Sequence, residues 1–171
     1  MIVILLRHAK ARSAAGYGDD LVRMLDVTGL AQARLLAGAV GGLLARERSI
    51  KIVTSPAIRC RDTVDPLAVR FGLEVQEDWR LLETANDIEL QELADVAHTG
   101  IGGIVYCGHA PSLSRLAQII STSQALSVPA AELQLGVASF VSFVFGEGSS
   151  HQLQSVSRYL AAEYKPIRIV G

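Results

Sequence analysis

The chain is poor in the residues that staple a small fold or grip a nucleic acid. Two cysteines, Cys60 and Cys107, among 171 residues are too few for a disulfide framework, and both are expected to remain thiols in a reducing cytoplasm. Aromatic residues make up only 5%, so the core must be built from Leu, Val, Ile and Ala. Charged residues make up 19%, the formal net charge is −1, and lysines and arginines form no run. That balance offers no footprint for nucleic acid or an anionic membrane and points to a compact ligand. The apolar stretch at the start is too short for a membrane span or a signal peptide, and no basic region precedes it. We therefore expect a cytoplasmic protein with neither a nucleic-acid nor a membrane partner.

Several catalytic designs are missing as well. A cysteine phosphatase needs Cys, five residues and then Arg, but Cys60 leads to Pro66 and Cys107 to Leu113. There is no Gly-Lys-Ser or Gly-Lys-Thr phosphate loop and no Gly-x-Gly-x-x-Gly dinucleotide motif. The histidines lack metal-ligand spacing. No metal and no cofactor are expected.

What is present begins at once. Ile2-Val3-Ile4-Leu5-Leu6 reads as a strand buried on both faces, and it delivers Arg7-His8. Ser13 to Asp20 is small, polar and glycine-containing, fit for a loop over a site. Asp26 or Thr28 can cap a helix whose apolar positions Leu30, Ala33, Leu36, Val40 and Leu43 recur at three- and four-residue steps. Ile50 to Thr54 is a second strand, and it runs into Ser55-Pro56, a helix start that puts Arg59 in the first turn. Pro66 is expected to divide the helical stretch after Ser55 into two short helices, the second ended by Gly72. Leu73 to Gln76 can form a strand and Asp78 to Ala85 a loop. Asn86 or Asp87 caps a helix to about Ala97, and Gly100, Gly102 and Gly103 make a turn. Ile104 to Cys107 is a strand that ends on Gly108-His109, with Pro111 opening a helix through Ile120. Ser139 to Phe145 and Gln152 to Ser157 suggest a closing hairpin. Alternating strands and helices of this length predict one α/β domain over residues 1–171 with right-handed crossovers and a mostly parallel central sheet.

In such a sheet the strand ends converge on one edge, where ligands bind. Three of them carry polar groups here: Arg7-His8, Ser55 with Arg59, and His109. Two arginines and two histidines gathered at helix starts suit a dianionic phosphate, because guanidinium forks pair with its oxygens and backbone amides add donors. A neutral imidazole can also attack phosphorus.

Leu6-Arg7-His8-Ala9-Lys10-Ala11, Ser55-Pro56-Ala57-Ile58-Arg59-Cys60-Arg61-Asp62-Thr63 and Tyr106-Cys107-Gly108-His109 resemble, in order and spacing, the motifs of the histidine phosphatase superfamily, also called phosphoglycerate-mutase-like. Arg23 to Ala33 resembles that family's segment leading into its first helix, so the similarity runs from Ile2 to about Ile120. The short length and the Arg-His-Ala-Lys-Ala opening most resemble the SixA-type phosphohistidine phosphatases. The resemblance implies a three-layer α/β/α sandwich and a phosphatase. It implies His8 as the nucleophile that takes up the phosphoryl group, with Arg7, Arg59 and His109 binding that group and stabilising its oxygens. His8 must attack as the neutral ring, so an acceptor such as a nearby backbone carbonyl should hold its other nitrogen. Trp79-Arg80-Leu81-Leu82-Glu83 resembles the stretch that supplies a glutamate acid, which sets Glu83 as general acid against Glu83 as an ordinary exposed loop carboxylate.

The chain also departs from the pattern. Ala9 follows the histidine where many members have glycine, a change that the SixA-like branch often shares. Cys60 and Arg61 stand where small residues are common; Arg61 is expected on a solvated face. Asp62 and Thr63 either contact phosphate or stabilise the helix start. Lys10 and Arg12 either meet an acidic substrate surface or are solvated, and His98 and His151 are expected at the surface or as caps. Glu83 and His109 are 26 positions apart, too few for the long insertion that encloses a small substrate in the sugar-phosphate mutases. An open pocket favours a phosphoryl group carried on a protein, such as a histidine-phosphotransfer domain. A small phosphomonoester is the alternative substrate, and a slow phosphate-binding module the alternative role.

Overall fold

The structure is a computed structural model that describes residues 1–16, 18–96, 101–124, 128–146, 152–160 and 166–170. The opening aliphatic run forms strand β1, Ile2–Arg7. Its side chains alternate between two cores, Ile2, Ile4 and Leu6 in one and Val3 and Leu5 in the other. That two-sided burial explains why the run is apolar without interruption.

Around β1 the chain adds β2 (Ile50–Thr54), β3 (Val75–Glu77), β4 (Gly103–Gly108), β5 (Phe140–Phe145), β6 (Leu153–Tyr159) and β7 (Pro166–Val170). Among the described residues four α-helices join the first five strands: α1 (Val27–Leu44), α2 (Ile58–Phe71), α3 (Asp87–Val96) and α4 (Ala110–Ser123). The seven strands make one sheet in the order β3-β2-β4-β1-β5-β6-β7. The pairings from β3 to β1 are parallel and those from β1 to β7 are antiparallel. The parallel part is therefore the half whose strands end on Arg7-His8, Ser55 and His109.

One core packs Leu36, Val40 and Leu44 of α1 and Val64 and Leu67 of α2 against Ile4, Ile52, Val105 and Phe140. The other packs Leu90 and Leu93 of α3 and Leu113, Leu116 and Ile120 of α4 against Val3, Leu5, Ile104, Tyr106 and Phe143. Helices cover both faces, which is the three-layer α/β/α arrangement. By length and composition α1 could cross a membrane; here Ala33, Leu36, Val40 and Leu44 pack in the core, while Val27, Leu30 and Leu35 are exposed.

Asp26 is the cap of α1, its Oδ1 accepting from the Gly29 amide at 2.7 Å. Asn86 and Glu89 exchange side-chain to backbone hydrogen bonds at the start of α3, a capping box. Gly72 ends α2 at φ 63°, a left-handed conformation that glycine adopts without a Cβ penalty.

Four expectations need correction. Pro66 lies inside a continuous α2 instead of dividing it. The hydrogen bond it forgoes lies on the partly exposed side of the helix, while Cys60, Val64, Leu67 and Ala68 bury the other side along the whole length, and that packing outweighs the loss. The same helix begins at Ile58, after Ser55-Pro56, because Ala57 is still extended at φ −62° and ψ 129° and its carbonyl is the first to accept from within the helix, from the Arg61 amide at 3.2 Å. The third strand lies at Val75–Glu77, and Trp79–Leu81 within the expected loop forms a 3-10 turn. Beyond the expected hairpin, the β-branched run Ile167-Arg168-Ile169-Val170 adds β7, a short edge strand opened by a proline. Gly100, His98, His151 and the tip of the hairpin between β5 and β6 lie outside the described residues.

Candidate active site

Strand order brings the polar strand ends together. β4 lies between β2 and β1, with Arg7 opposite Gly108 and both Leu6 and Thr54 opposite Cys107. Arg7-His8, Thr54-Ser55 and Gly108-His109 therefore leave the sheet side by side. Arg59 is the second residue of α2, and His109 is the residue from which α4 starts. A Cβ on Gly108 would fall 2.5 Å from the Leu81 carbonyl oxygen, the same oxygen that accepts from the His109 amide at 3.3 Å. Glycine is what lets this strand end approach the 3-10 turn before Glu83.

His8 is buried, and its Nδ1 lies 2.8 Å from the Ala9 carbonyl oxygen. A carbonyl can only accept, so Nδ1 carries the proton and Nε2 keeps its lone pair. Burial pushes the His8 pKa down to about 4; the Ala9 carbonyl opposes this, and the charges of His109, Arg59 and Arg7 reinforce it. The ring is neutral at physiological pH. The His109 ring stands edge-on to it with centroids 5.3 Å apart and an interplanar angle of 61°.

The cations converge on the same place. Arg7 Nη1 donates to the Leu135 carbonyl at 2.9 Å. Burial lowers the Arg7 pKa while the Glu83 carboxylate raises it, and a guanidinium stays charged under such pressure. Arg59 is buried; its Nη1 donates to the Asp20 carbonyl at 2.6 Å, and its Nη2 lies 2.6 Å from Asp20 Oδ2 and 3.3 Å from His109 Nδ1. Nε of Arg7 and Nε of Arg59 are both buried without a hydrogen-bond partner among the described residues. Buried donors are ordinarily satisfied, so two open guanidinium donors in one site suit an anionic ligand.

His109 is buried, with Nε2 3.3 Å from the Ser55 hydroxyl and 3.7 Å from Cys60 Sγ. Its Nδ1 lies 3.4 Å from Glu83 Oε1, although the Glu83 side chain is 64% exposed. Glu83 is thus both a solvated loop carboxylate and a group within reach of the site. All five residues named from the sequence meet here.

Thr63 does not reach into the pocket. Its hydroxyl accepts from the Ala9 amide at 2.9 Å and donates to the Arg59 carbonyl at 2.6 Å, fixing the two chain segments that carry His8 and Arg59. Asp62 lies with Arg61 and Val75 along a groove on the outer side of α2. Arg61 pairs with Glu77 at 3.0 Å near solvent, as expected of a solvated face, and Lys10 pairs with Asp26 at 3.2 Å. Three contacts have no clear signal in the sequence: Asp20 on Arg59, Cys60 on His109, and Thr63 on Ala9. Thr63 alone leaves a trace, four residues after Arg59 and so one helical turn away.

Three neighbouring parallel strands bring two histidines and Arg7 to one edge of the sheet, and the first turn of α2 adds Arg59, a cluster of donors that suits an anion. The family model of the histidine phosphatase superfamily (branch 1) matches residues 3–99, and the chain belongs to that superfamily. The matched stretch holds Arg7, His8, Arg59 and Glu83; His109 lies beyond it. The uncharacterized protein Rv0525 of Mycobacterium tuberculosis is 35% identical over 89 residues, 51% of this chain and 42% of that protein. The chain thus matches less than half the length of this curated relative. Among solved structures, a protein assigned as the phosphohistidine phosphatase SixA of Agrobacterium tumefaciens is 25% identical with a TM-score of 0.63, covering 83% of this chain and 89% of that one. The protein histidine phosphatase SixA in complex with tungstate shares the fold at 18% identity, TM-score 0.66, over 90% of this chain and 93% of that one. A mycobacterial glucosyl-3-phosphoglycerate phosphatase with inorganic phosphate does so at 18% identity, TM-score 0.58, over 83% and 88%.

Proposed function

We propose that the protein is a metal-independent phosphatase that works through a phosphohistidine on His8, and that its substrate is a phosphorylated histidine on another protein, in the manner of the SixA-type enzymes it resembles. The observation that carries this reading is the state of His8: a buried ring, neutral at physiological pH, with Nδ1 tied to Ala9, so that Nε2 keeps its lone pair near the charges of two arginines. In the first step Nε2 attacks phosphorus in line, the bond to the leaving group breaks, and the leaving atom takes a proton. The three equatorial oxygens are met by Arg7, Arg59 and His109, whose charge and donors do the work that phosphoryl transfer asks of a protein. In the second step water attacks the phosphohistidine, the P–N bond returns its electrons to Nε2, and inorganic phosphate leaves. Glu83, 3.4 Å from His109 Nδ1, gives the first proton and accepts the second.

A small phosphomonoester is the second reading. It is favoured by a cavity of about 300 Å³ beside Arg7, walled by Ala110, Pro111, Ser114, Gln134 and Leu135, which suits a compact leaving group. The segment between Glu83 and His109 is spent on α3 and β4 and, among the described residues, adds no lid, which favours the protein substrate. The deciding experiment sets p-nitrophenyl phosphate beside a histidine-phosphorylated carrier protein, in excess EDTA, with wild type and His8→Ala. EDTA-resistant turnover lost in the variant is the expected result, with the carrier protein preferred. High kcat/KM on small esters and none on the carrier would overturn the protein substrate. Full activity in a folded His8→Ala protein would overturn the mechanism.

A further inference from the structure

Arg59 is held by a residue outside the motifs that carry the family resemblance. Asp20 opens the 3-10 turn Asp20–Val22 in the loop between β1 and α1. It presents two oxygens to one guanidinium, the backbone carbonyl to Nη1 and Oδ2 to Nη2, both at 2.6 Å. Asp20 is held in turn. Its Oδ1 accepts from Arg23 Nε at 2.7 Å, its carbonyl also accepts from the Arg23 amide at 3.2 Å, and Asp19 caps the turn through the Leu21 amide at 2.8 Å. The end of the Arg59 fork formed by Nη1 and Nη2 is therefore occupied. What remains is the edge made by Nε and the second Nη2 proton. Nη2 also lies 3.3 Å from His109 Nδ1, and Nε is buried without a partner among the described residues.

We propose that Asp20 is a positioning residue that fixes the rotation of Arg59 so that its Nε–Nη2 edge faces the transferring phosphoryl group; this rests on the phosphatase reading of the site. Two effects of Asp20 oppose each other. Its negative charge repels a phosphate, but the carboxylate is 54% exposed, so water screens it. Its hold on the guanidinium acts on a side chain only 3% exposed, where a small misplacement of a donor is costly. Orientation outweighs repulsion, so removing Asp20 weakens the site instead of relieving it.

The test combines D20A, D20N and R59A with the double variant D20A/R59A, reading hydrolysis of p-nitrophenyl phosphate and, separately, calorimetric binding of tungstate. D20A is expected to lose roughly ten- to hundredfold in kcat/KM and to bind tungstate more weakly, with D20N between it and wild type. In the R59A background D20A changes neither quantity, because Asp20 acts only through Arg59. Tighter tungstate binding or faster turnover in D20A would overturn the inference and make Asp20 a competitor of the anion. An equal loss in the R59A background would also overturn it, by making Asp20 a support of the loop alone. A wild type that binds tungstate through Arg59 and Asp20 yet hydrolyses nothing would sink the phosphatase reading and leave this one standing. One that does neither would sink both.

Discussion

His8 donates its Nδ1 proton to the carbonyl of Ala9, the next residue, at 2.8 Å. The proposed nucleophile is thus oriented by the next peptide, and the Ala9 carbonyl is what raises its pKa. Burial and the neighbouring cations outweigh it and push that pKa to about 4 from an ordinary value of 6.5. Between those values the unfolded chain binds a proton that the folded His8 refuses, so folding stability rises with pH across that window and falls on acidification. The Cε1 proton of His8, assigned by comparison with a His8→Gln variant, should titrate by NMR near pH 4. A midpoint at 6 or above would show that the ring is solvated or paired with an anion, contrary to this geometry.

Substitution should rank the site by role. His8→Ala should lose nearly all turnover, because it removes the group proposed to take up the phosphoryl. Arg59→Ala should lose on the order of a thousandfold, the range by which an arginine that meets transition-state charge contributes to phosphoryl transfer. Steady-state kinetics on protein whose thermal unfolding matches wild type would check both. Loss of less than tenfold in Arg59→Ala would move the work to Arg7 and His109.

Legibility in the sequence depends on how locally each feature is encoded. β1 is legible because a strand buried on both faces must be apolar throughout, and His8 because it ends that strand. Arg59 and His109 are legible because Ser-Pro and Gly-His-Ala-Pro mark strand-to-helix turns, and parallel strands end on one edge. Pro66 misleads because its local rule ignores the packing of Val64 and Leu67, which keeps α2 continuous. The contact of Asp20 with Arg59 spans 39 residues; it depends on the path of a loop, and no periodicity records that path. The order of β4 between β2 and β1 is likewise a property of the crossovers and is absent from any one segment.

Thr63 links the segments that carry His8 and Arg59, and its loss should be felt in both stability and rate. Thr63→Val keeps the shape but leaves the buried Ala9 amide without its acceptor, at a cost of about 1–3 kcal/mol. Thr63→Ser keeps the hydroxyl and should lose only the methyl packing. Urea unfolding and kcat/KM of the two variants, measured together, should place Val well below Ser in both. Equal stability of the pair would mean that the Ala9 amide finds another acceptor.

The acid role proposed for Glu83 should separate substrates by what they need on departure. An alkyl phosphate expels a strongly basic alkoxide and depends on a proton, whereas p-nitrophenolate leaves readily without one. The leaving nitrogen of phosphohistidine is easily protonated by solvent. Since kcat/KM reports steps up to the first irreversible one, it tracks phosphoryl transfer to His8 and omits the later attack of water. Glu83→Gln should therefore lower kcat/KM for an alkyl phosphate by about 10²–10⁴-fold, the usual contribution of a positioned acid. It should lower that for p-nitrophenyl phosphate and for a phosphohistidine protein far less. An equal fall for all three would show that Glu83 acts through the charge it places beside His109 Nδ1, and no fall at all would return it to the solvated loop where 64% of its side chain already lies.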